Sequence, residues 1–136
     1  MARATRGRVV GLGGVFFKSR DPERLYRWYE THLGVRRAEF GAIVFSDAKT
    51  PARQRPGLTV WAVFPVRSRY FSPTASRFMI NYRVDDLDAL LTKLRRRRAW
   101  IDPRREDSAQ GRFAWTRDCD GNRIELWEPP GRARRR

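Results

Sequence analysis

Residues 118–127 read DCDGNRIELW and give the clearest structural signal in this chain of 136 residues. The first half of the segment is rich in Asp, Gly and Asn, the residue types that form tight turns. The second half, residues 123–127, is typical of a strand, and so are residues 112–117 before the turn. The sequence therefore predicts a β-hairpin across this turn.

The turn at Gly121-Asn122 has a counterpart at Pro56-Gly57, so that a shift of 65 positions lays the second half of the chain on the first. The same shift takes Asp21 to Asp86 and Leu25 to Leu90. A repeat of this kind indicates one supersecondary unit used twice, because one copy alone cannot cover its own apolar face. A chain of this length is expected to form a single domain, residues 1–136.

The first copy begins with a predicted strand over residues 9–18 and continues into a helix. Asp21 is a typical N-cap, and Pro22 suits the first helical position because the N–H that proline lacks would have no partner there. Gly34 is expected to end the helix. The predicted buried stripe, at helical spacing, is Leu25, Trp28, Tyr29 and Leu33. Further strands are predicted over residues 42–46 and 58–65.

The second copy repeats this order. A strand is predicted over residues 78–84, and Asp86 is expected to cap a helix. The buried stripe of that helix is predicted to be Leu87, Leu90, Leu91 and Leu94. Each copy is therefore interpreted as β-α-β-β-β, and the fold class as α+β. We expect the first module at residues 9–66, a connection at 67–77, the second module at 78–130 and a basic tail at 131–136.

The chain carries 30 basic and 15 acidic residues, a net charge of +15. Such an excess raises the possibility of nucleic-acid binding. Much of it lies in the basic ends, which are expected to be loose, and in the run of four arginines at 95–98, where cations suit a helix C-terminus. Nucleic acid is therefore the less favoured partner. The arginines of the two ends are Arg3, Arg6, Arg8, Arg132, Arg134, Arg135 and Arg136.

Several classes of protein are disfavoured by composition. The chain has no run of roughly 18 apolar residues, so we expect no membrane span. The basic start is not followed by the apolar stretch of an export signal, which favours a cytoplasmic location. Cys119 and His32 are single residues of their types, so no His/Cys zinc site can form.

Several motifs together resemble the glyoxalase, bleomycin-resistance and extradiol-dioxygenase group, which is the vicinal oxygen chelate superfamily. They are Gly13-Gly14-Val15-Phe16-Phe17, Trp28-Tyr29, Leu33-Gly34, Val84-Asp85-Asp86-Leu87-Asp88 and, most specific, Asp120-Gly121-Asn122-Arg123-Ile124-Glu125-Leu126. The resemblance covers residues 9–129. It implies two β-α-β-β-β modules that form a curled mixed sheet around a cleft, and a homodimer.

The resemblance also implies where a divalent metal would bind in the enzymes of this group. The corresponding positions are Gly14 and Met79 on the first strands and Val60 and Glu125 on the last strands. Of these, only Glu125 has a side chain that suits such a metal, and one carboxylate falls short of the usual three protein ligands. We therefore expect neither a metal nor another cofactor.

The cleft implied by the resemblance is expected to bind a small molecule, because apolar walls with a few polar groups suit such a ligand. Lys18 and Arg83 occupy equivalent positions and either meet an anionic ligand or lie in water. Glu125 is structural if it pairs with Arg83 or Lys18, and is the candidate catalytic general base if it is unpaired. The predicted ligand-binding residues are Phe16, Lys18, Val60, Met79, Asn81, Arg83, Glu125 and Trp127.

The favoured hypothesis is a metal-free protein of this group that captures a small molecule. Bleomycin itself is disfavoured, because the net charge of +15 repels a cationic antibiotic. One alternative is a metal-dependent lyase, similar to lactoylglutathione lyase, or a dioxygenase. The other is a protein that binds nucleic acid through its arginine-rich tails.

Overall fold

The computed structural model describes residues 6–38, 41–46 and 58–131. Two helices and seven strands follow one another along these residues. In chain order they are β1 (Val9–Ser19), α1 (Pro22–Leu33), β2 (Ile43–Ser46), β3 (Leu58–Pro65), β4 (Phe78–Val84), α2 (Leu87–Arg96), β5 (Glu106–Ser108), β6 (Gly111–Arg117) and β7 (Arg123–Glu128).

The strands pair in the order β2-β3-β1-β4-β7-β6-β5. β1 and β3 are parallel, whereas β2 with β3, β5 with β6, and β6 with β7 are antiparallel, so the sheet is mixed. This arrangement confirms the predicted α+β class with two related modules. Outside these strand pairs, an isolated bridge joins Arg37 to Ile43 in the first module. The predicted turn at Pro56-Gly57 lies outside the described residues.

The chain divides into two compact units, which we call the first unit (residues 13–80) and the second unit (residues 1–12 and 81–136). The start of β1 belongs to the second unit because the backbone N–H groups of Gly7 and Arg8 both donate to Asp85 Oδ1, at 2.9 Å and 2.9 Å. Arg6 also pairs with Asp86 at 2.8 Å. The expectation of a loose N-terminal tail is therefore wrong for residues 6–8, which carboxylates of the second module hold in place.

The core of the second unit confirms the stripe predicted for α2. Leu87 and Leu91 are buried, and Leu90 and Leu94 pack at the edge of the same cluster. Asp86 caps the helix by accepting the Ala89 N–H at 3.1 Å. The other buried members of the cluster are Val84, Ala114 and Leu126.

In the first unit, the stripe predicted for α1 is wrong at two positions. Trp28 and Leu33 are 49% and 59% exposed, whereas Tyr26, which the apolar pattern left out, is only 6% exposed. The Tyr26 hydroxyl accepts the Val63 N–H at 2.8 Å, and its ring meets Trp61 edge-on at 6.0 Å. This hydrogen bond fixes which side of α1 faces β3. Burial raises the pKa of the Tyr26 phenol and outweighs the opposing effect of the Val63 N–H.

Replacing Tyr26 with phenylalanine is expected to lower the free energy of unfolding by about 1–2 kcal/mol, because the Val63 N–H loses its acceptor inside the protein. Tyr29→Phe is the matched control, since the Tyr29 hydroxyl has no hydrogen-bond partner within the described residues, although its ring also packs on Trp61 at 4.5 Å. Urea unfolding measures both variants. Equal losses in the two would refute the role given to the Val63 hydrogen bond.

No helix in the described part of the chain is long and apolar enough to cross a membrane.

Candidate functional site

The candidate site lies in the second unit, where residues 81–84 of β4 neighbour β7, and β7 neighbours β6. Glu125, in the middle of β7, is 2% exposed. Its Oε2 accepts the Asn81 side-chain amide at 2.6 Å, and its Oε1 accepts the Trp115 indole N–H at 2.9 Å. We call these three buried side chains the Glu125 cluster. Both carboxylate oxygens thus have nitrogen donors, as a buried carboxylate requires.

Strand pairing explains how Trp115 reaches Glu125. The two residues lie directly opposite each other in the antiparallel hairpin of β6 and β7. Side chains at such opposed positions share one face of a sheet and lie close together. Trp115 is fully buried, so its indole N–H would be costly to leave without an acceptor.

Two arginines lie against the Trp115 ring. The guanidinium of Arg104 is 4.9 Å from the ring centroid, and that of Arg123 is 5.4 Å. Arg123 also pairs with Asp102 at 2.9 Å, and Asp102 accepts the backbone N–H of Arg104 at 3.0 Å. Burial alone would raise the pKa of Asp102, but the Arg104 N–H and the Arg123 guanidinium outweigh it, and the pKa lies below its ordinary value.

The orientation of the Asn81 amide follows from the chemistry of its partner. The amide turns its NH2 group, and not its oxygen, towards Glu125 Oε2, which accepts the hydrogen bond. The other end of the amide, Oδ1, is buried and has no hydrogen-bond donor within the described part of the chain. Such an acceptor is uncommon in a folded protein, and it marks the Glu125 cluster as the candidate site.

Two further predicted residues of the second unit have partners of their own. Trp127 stacks on Phe113 with 6.2 Å between ring centroids, and its indole N–H donates to the Gln110 carbonyl at 2.8 Å. Arg83 donates to the Leu12 carbonyl at 3.0 Å. Of the predicted residues in this unit, the structure thus brings Asn81 and Glu125 into direct contact.

The remaining predicted residues belong to the first unit. Phe16 is buried and contacts Phe64, with 5.5 Å between ring centroids. The Lys18 ammonium lies 5.1 Å from the centroid of Phe71. Met79 is buried, and Val60 lies opposite Gly14 in the parallel pair of β1 and β3. These contacts are mainly apolar, which suits packing as well as a ligand pocket.

The four positions that the resemblance equates with a metal site do not offer the ligands of a divalent metal. In the first unit, a Cβ at Gly14 would lie 2.9 Å from the Val60 carbonyl oxygen, so a ligating side chain cannot be placed there without moving the backbone. Met79 offers only a thioether, which suits soft metals. In the second unit, both Glu125 oxygens accept N–H groups. Across residues 6–38, 41–46 and 58–131, no group of three His, Cys, Asp or Glu side chains could hold a metal ion.

The sequence analysis missed Trp115, Arg104, Arg123 and Asp102 as members of this region. A signal for Trp115 was present, because a hairpin that pairs Arg117 with Arg123 also places Trp115 opposite Glu125. No comparable signal exists for Asp102, which lies 21 positions before Arg123 in a segment without a regular pattern.

No protein-family model matches the chain, and neither does any curated protein. Solved structures do match. Methylmalonyl-CoA epimerase from Mycobacterium tuberculosis is 23% identical over 96% of this chain and 97% of that chain, with a TM-score of 0.62. A variant of Streptomyces coelicolor methylmalonyl-CoA epimerase, in complex with 2-nitronate-propionyl-CoA, is 14% identical over 91% and 100%, with a TM-score of 0.67. A methylmalonyl-CoA epimerase in complex with methylmalonyl-CoA and NH4+ is 15% identical over 90% and 100%, with a TM-score of 0.63. At these identities the likeness is one of fold.

Proposed function

We propose, from the premise that this chain has the glyoxalase-like fold of the vicinal oxygen chelate superfamily, that it binds a small polar molecule at the Glu125 cluster without a divalent metal. The observation that carries the proposal is the buried Asn81 Oδ1, which has no donor within the described residues. A buried acceptor left unpaired costs about 1–3 kcal/mol, so a ligand that donates a hydrogen bond there gains affinity.

The cluster supports binding by its rigidity as well as by its chemistry. Glu125 fixes the Asn81 amide, and Trp115 fixes Glu125 from the opposite strand. A polar group held in this way loses little conformational freedom when a ligand arrives, which favours affinity and selectivity. We propose Asn81 and Glu125 as the central binding residues, with Arg83 and Trp127 as the further ligand-binding positions of the second unit. In the first unit, Phe16, Lys18, Val60 and Met79 stay predicted ligand-binding positions.

The proposal is tested by a thermal-shift screen against metabolites and antibiotics, run with EDTA and with divalent metals. A ligand that binds only the folded state raises its Tm by mass action, and we expect hits whose shifts do not depend on metal. Stoichiometric zinc, nickel, iron or manganese in the purified protein, lost in Glu125→Gln, would contradict the metal-free proposal. Shifts that appear only with added metal would contradict it as well.

Glu125→Gln is expected to change which ligands bind. Trp115 can only donate, so the new amide must turn its oxygen towards the indole and its NH2 group towards Asn81. The Asn81 amide then turns over and presents its NH2 group where Oδ1 stood. Ligands that donate a hydrogen bond to Asn81 Oδ1 in the wild type should bind the variant about tenfold or more weakly, as measured by calorimetry. Glu106→Gln is the matched control, because Glu106 is exposed and its ion pair with exposed Arg104 is long, at 3.5 Å. An unchanged ligand profile in Glu125→Gln would remove the cluster from the binding site.

A second candidate ligand is a coenzyme A thioester. The net charge of +15 favours a polyanionic ligand of this kind, and two of the similar structures contain CoA thioesters. Including coenzyme A and methylmalonyl-CoA in the same screen tests this candidate. The test for catalysis is whether methylmalonyl-CoA exchanges its α-hydrogen with deuterated solvent in the presence of the protein.

The homodimer and the cytoplasmic location stay predictions. Light scattering after size-exclusion chromatography measures the first, because a dimer doubles the monomer mass of 16.0 kDa.

A further inference from the structure

The first unit contains a cavity that has no residue in common with the Glu125 cluster. It has a volume of about 470 Å³ and lies beside the first two turns of α1. Its lining combines two arginines, Arg20 and Arg24, with the aromatic rings of Trp28 and Tyr29. Small-molecule sites have volumes of this order, and they combine apolar walls with a few polar groups that orient the ligand. We call this feature the α1 cavity.

The positive charge of the α1 cavity is not neutralised by the acidic residues of the same helix. Glu23 and Glu30 both pair with Arg37, at 2.9 Å and 3.2 Å. Within the part of the chain that the structure describes, Arg20 and Arg24 have no carboxylate partner. Two exposed guanidinium groups on one cavity are suited to an anion, and above all to a phosphate, because its several oxygens can accept from both.

Trp28 gives the α1 cavity an aromatic surface that nothing in the described chain covers completely. It is 49% exposed, an unusual degree for so large an apolar side chain. The His32 ring stacks on the indole, with 4.7 Å between ring centroids and an angle of 20° between the planes. His32 Nδ1 is hydrogen-bonded to the Trp28 carbonyl oxygen at 3.0 Å. His32 does not line the cavity, whereas Trp28 does. A planar ring of a ligand can stack on such a surface.

Asp21 adds a third kind of group to the same cavity. One of its oxygens, Oδ1, caps α1 by accepting the Arg24 N–H at 3.1 Å. Its other oxygen, Oδ2, accepts no hydrogen bond within the described residues, and it can accept from a hydroxyl group. A ligand that matches the cavity therefore carries an aromatic ring, a hydroxyl group and an anionic group.

We propose that the α1 cavity binds a nucleoside monophosphate. The base stacks on Trp28, a ribose hydroxyl donates to Asp21, and the phosphate accepts from Arg20 and Arg24. The site is independent of the proposed function, because none of the residues that line the α1 cavity is among the ligand-binding positions proposed above.

The test is a titration of the 15N-labelled full chain with adenosine 5′-monophosphate, followed by the Trp28 indole N–H resonance and by calorimetry. Trp28→Phe identifies that resonance. We expect saturable binding with a Kd below about 1 mM, and at least tenfold weaker binding of adenosine or inorganic phosphate alone. The double variant Arg20→Gln/Arg24→Gln should bind at least about tenfold more weakly.

Two control variants separate a site from general charge. Arg27→Gln removes a positive charge from the exposed surface of α1 outside the cavity lining, and should retain the affinity within about twofold. Glu125→Gln should also retain it, so that failure here and failure of the proposed function are distinguishable. Equal weakening by Arg27→Gln, or absence of saturable binding, would overturn the proposal. Binding of adenosine 5′-monophosphate that Trp28→Ala leaves unchanged would also overturn it.

Discussion

Replacing Asp102 with alanine is expected to lower the free energy of unfolding by about 3 kcal/mol, because it leaves a buried cation without its counter-charge. The side chain of Arg123 is only 3% exposed, and its Nη1 lies 2.9 Å from Asp102 Oδ2. Its Nε has no hydrogen-bond partner within the described residues, so Asp102 provides the main compensation. The estimate is at the low end for a buried pair because the Asp102 side chain is 20% exposed. Urea unfolding at pH 7 measures it.

Asp107→Ala is the control for this variant. Asp107 pairs with Arg105 at 3.2 Å on the surface, and its loss should cost less than about 1 kcal/mol. Adding Arg123→Met to Asp102→Ala should restore part of the lost stability, because the unpaired charge is then gone. If the double variant is less stable than Asp102→Ala by the full cost of the single Arg123→Met variant, the two residues do not interact.

The same ion pair predicts a dependence of stability on pH. The pKa of Asp102 in the folded protein lies below its ordinary value of 3.8, so folding favours the ionised form. The stabilisation is therefore complete well above pH 3.8 and is lost as the pH falls through the folded-state pKa. The difference in unfolding free energy between the wild type and Asp102→Ala should shrink over that acidic range. A constant difference from pH 7 to about pH 2 would contradict this account.

Replacing Trp115 with alanine is expected to cost about 3–5 kcal/mol, the range for deletion of a large aromatic side chain from a core. Trp115 is fully buried and also donates to Glu125 Oε1. Trp115→Phe separates the two contributions, since it keeps most of the volume but removes the donor. We expect Trp115→Phe to cost about 1–3 kcal/mol, because Glu125 Oε1 loses the hydrogen bond from the indole.

Trp127→Phe is the matched control for the Trp115 variants. The Trp127 indole N–H donates at an exposed position, where water can replace the Gln110 carbonyl, so this change should cost less than about 1 kcal/mol. Chemical unfolding measures all three variants. A Trp115→Phe protein as stable as the wild type would show that the Glu125 cluster does not depend on the indole hydrogen bond.

The α2 stripe and the β6–β7 hairpin could be predicted because their signals are local. Leu87, Leu90, Leu91 and Leu94 follow helical spacing, and the Asp-Gly turn lies directly between its two strands. The stripe of α1 could not be predicted fully. Tyr26 is polar at one end, so an apolar pattern does not include it. Its burial depends on the hydrogen bond that its hydroxyl accepts from the Val63 N–H, 37 residues later. That contact turns Tyr26 towards β3, and Trp28, two positions later and therefore on the opposite side of the helix, is exposed. Leu33 is exposed as the last residue of α1.

In the candidate site, too, some residues could be predicted from the sequence, whereas their contacts could not. Glu125 and Asn81 were found from the resemblance, and the hairpin register could have added Trp115. The direct hydrogen bond between Asn81 and Glu125 joins residues 44 positions apart. The local sequence pattern of β4 or β7 does not indicate which neighbouring strand provides the hydrogen-bond partner of the buried Glu125 carboxylate.

The sequence by itself determined the internal repeat, the two capped helices and every described strand except β5, because turn residues, caps and apolar periodicity act over a few positions along the chain. Only the tertiary structure decided that Glu125 binds Asn81 and Trp115, and that Arg123 binds Asp102. A buried charge or polar group must be satisfied by whichever donor or acceptor the strand order brings next to it. Strand order is a property of the folded chain and not of any one segment.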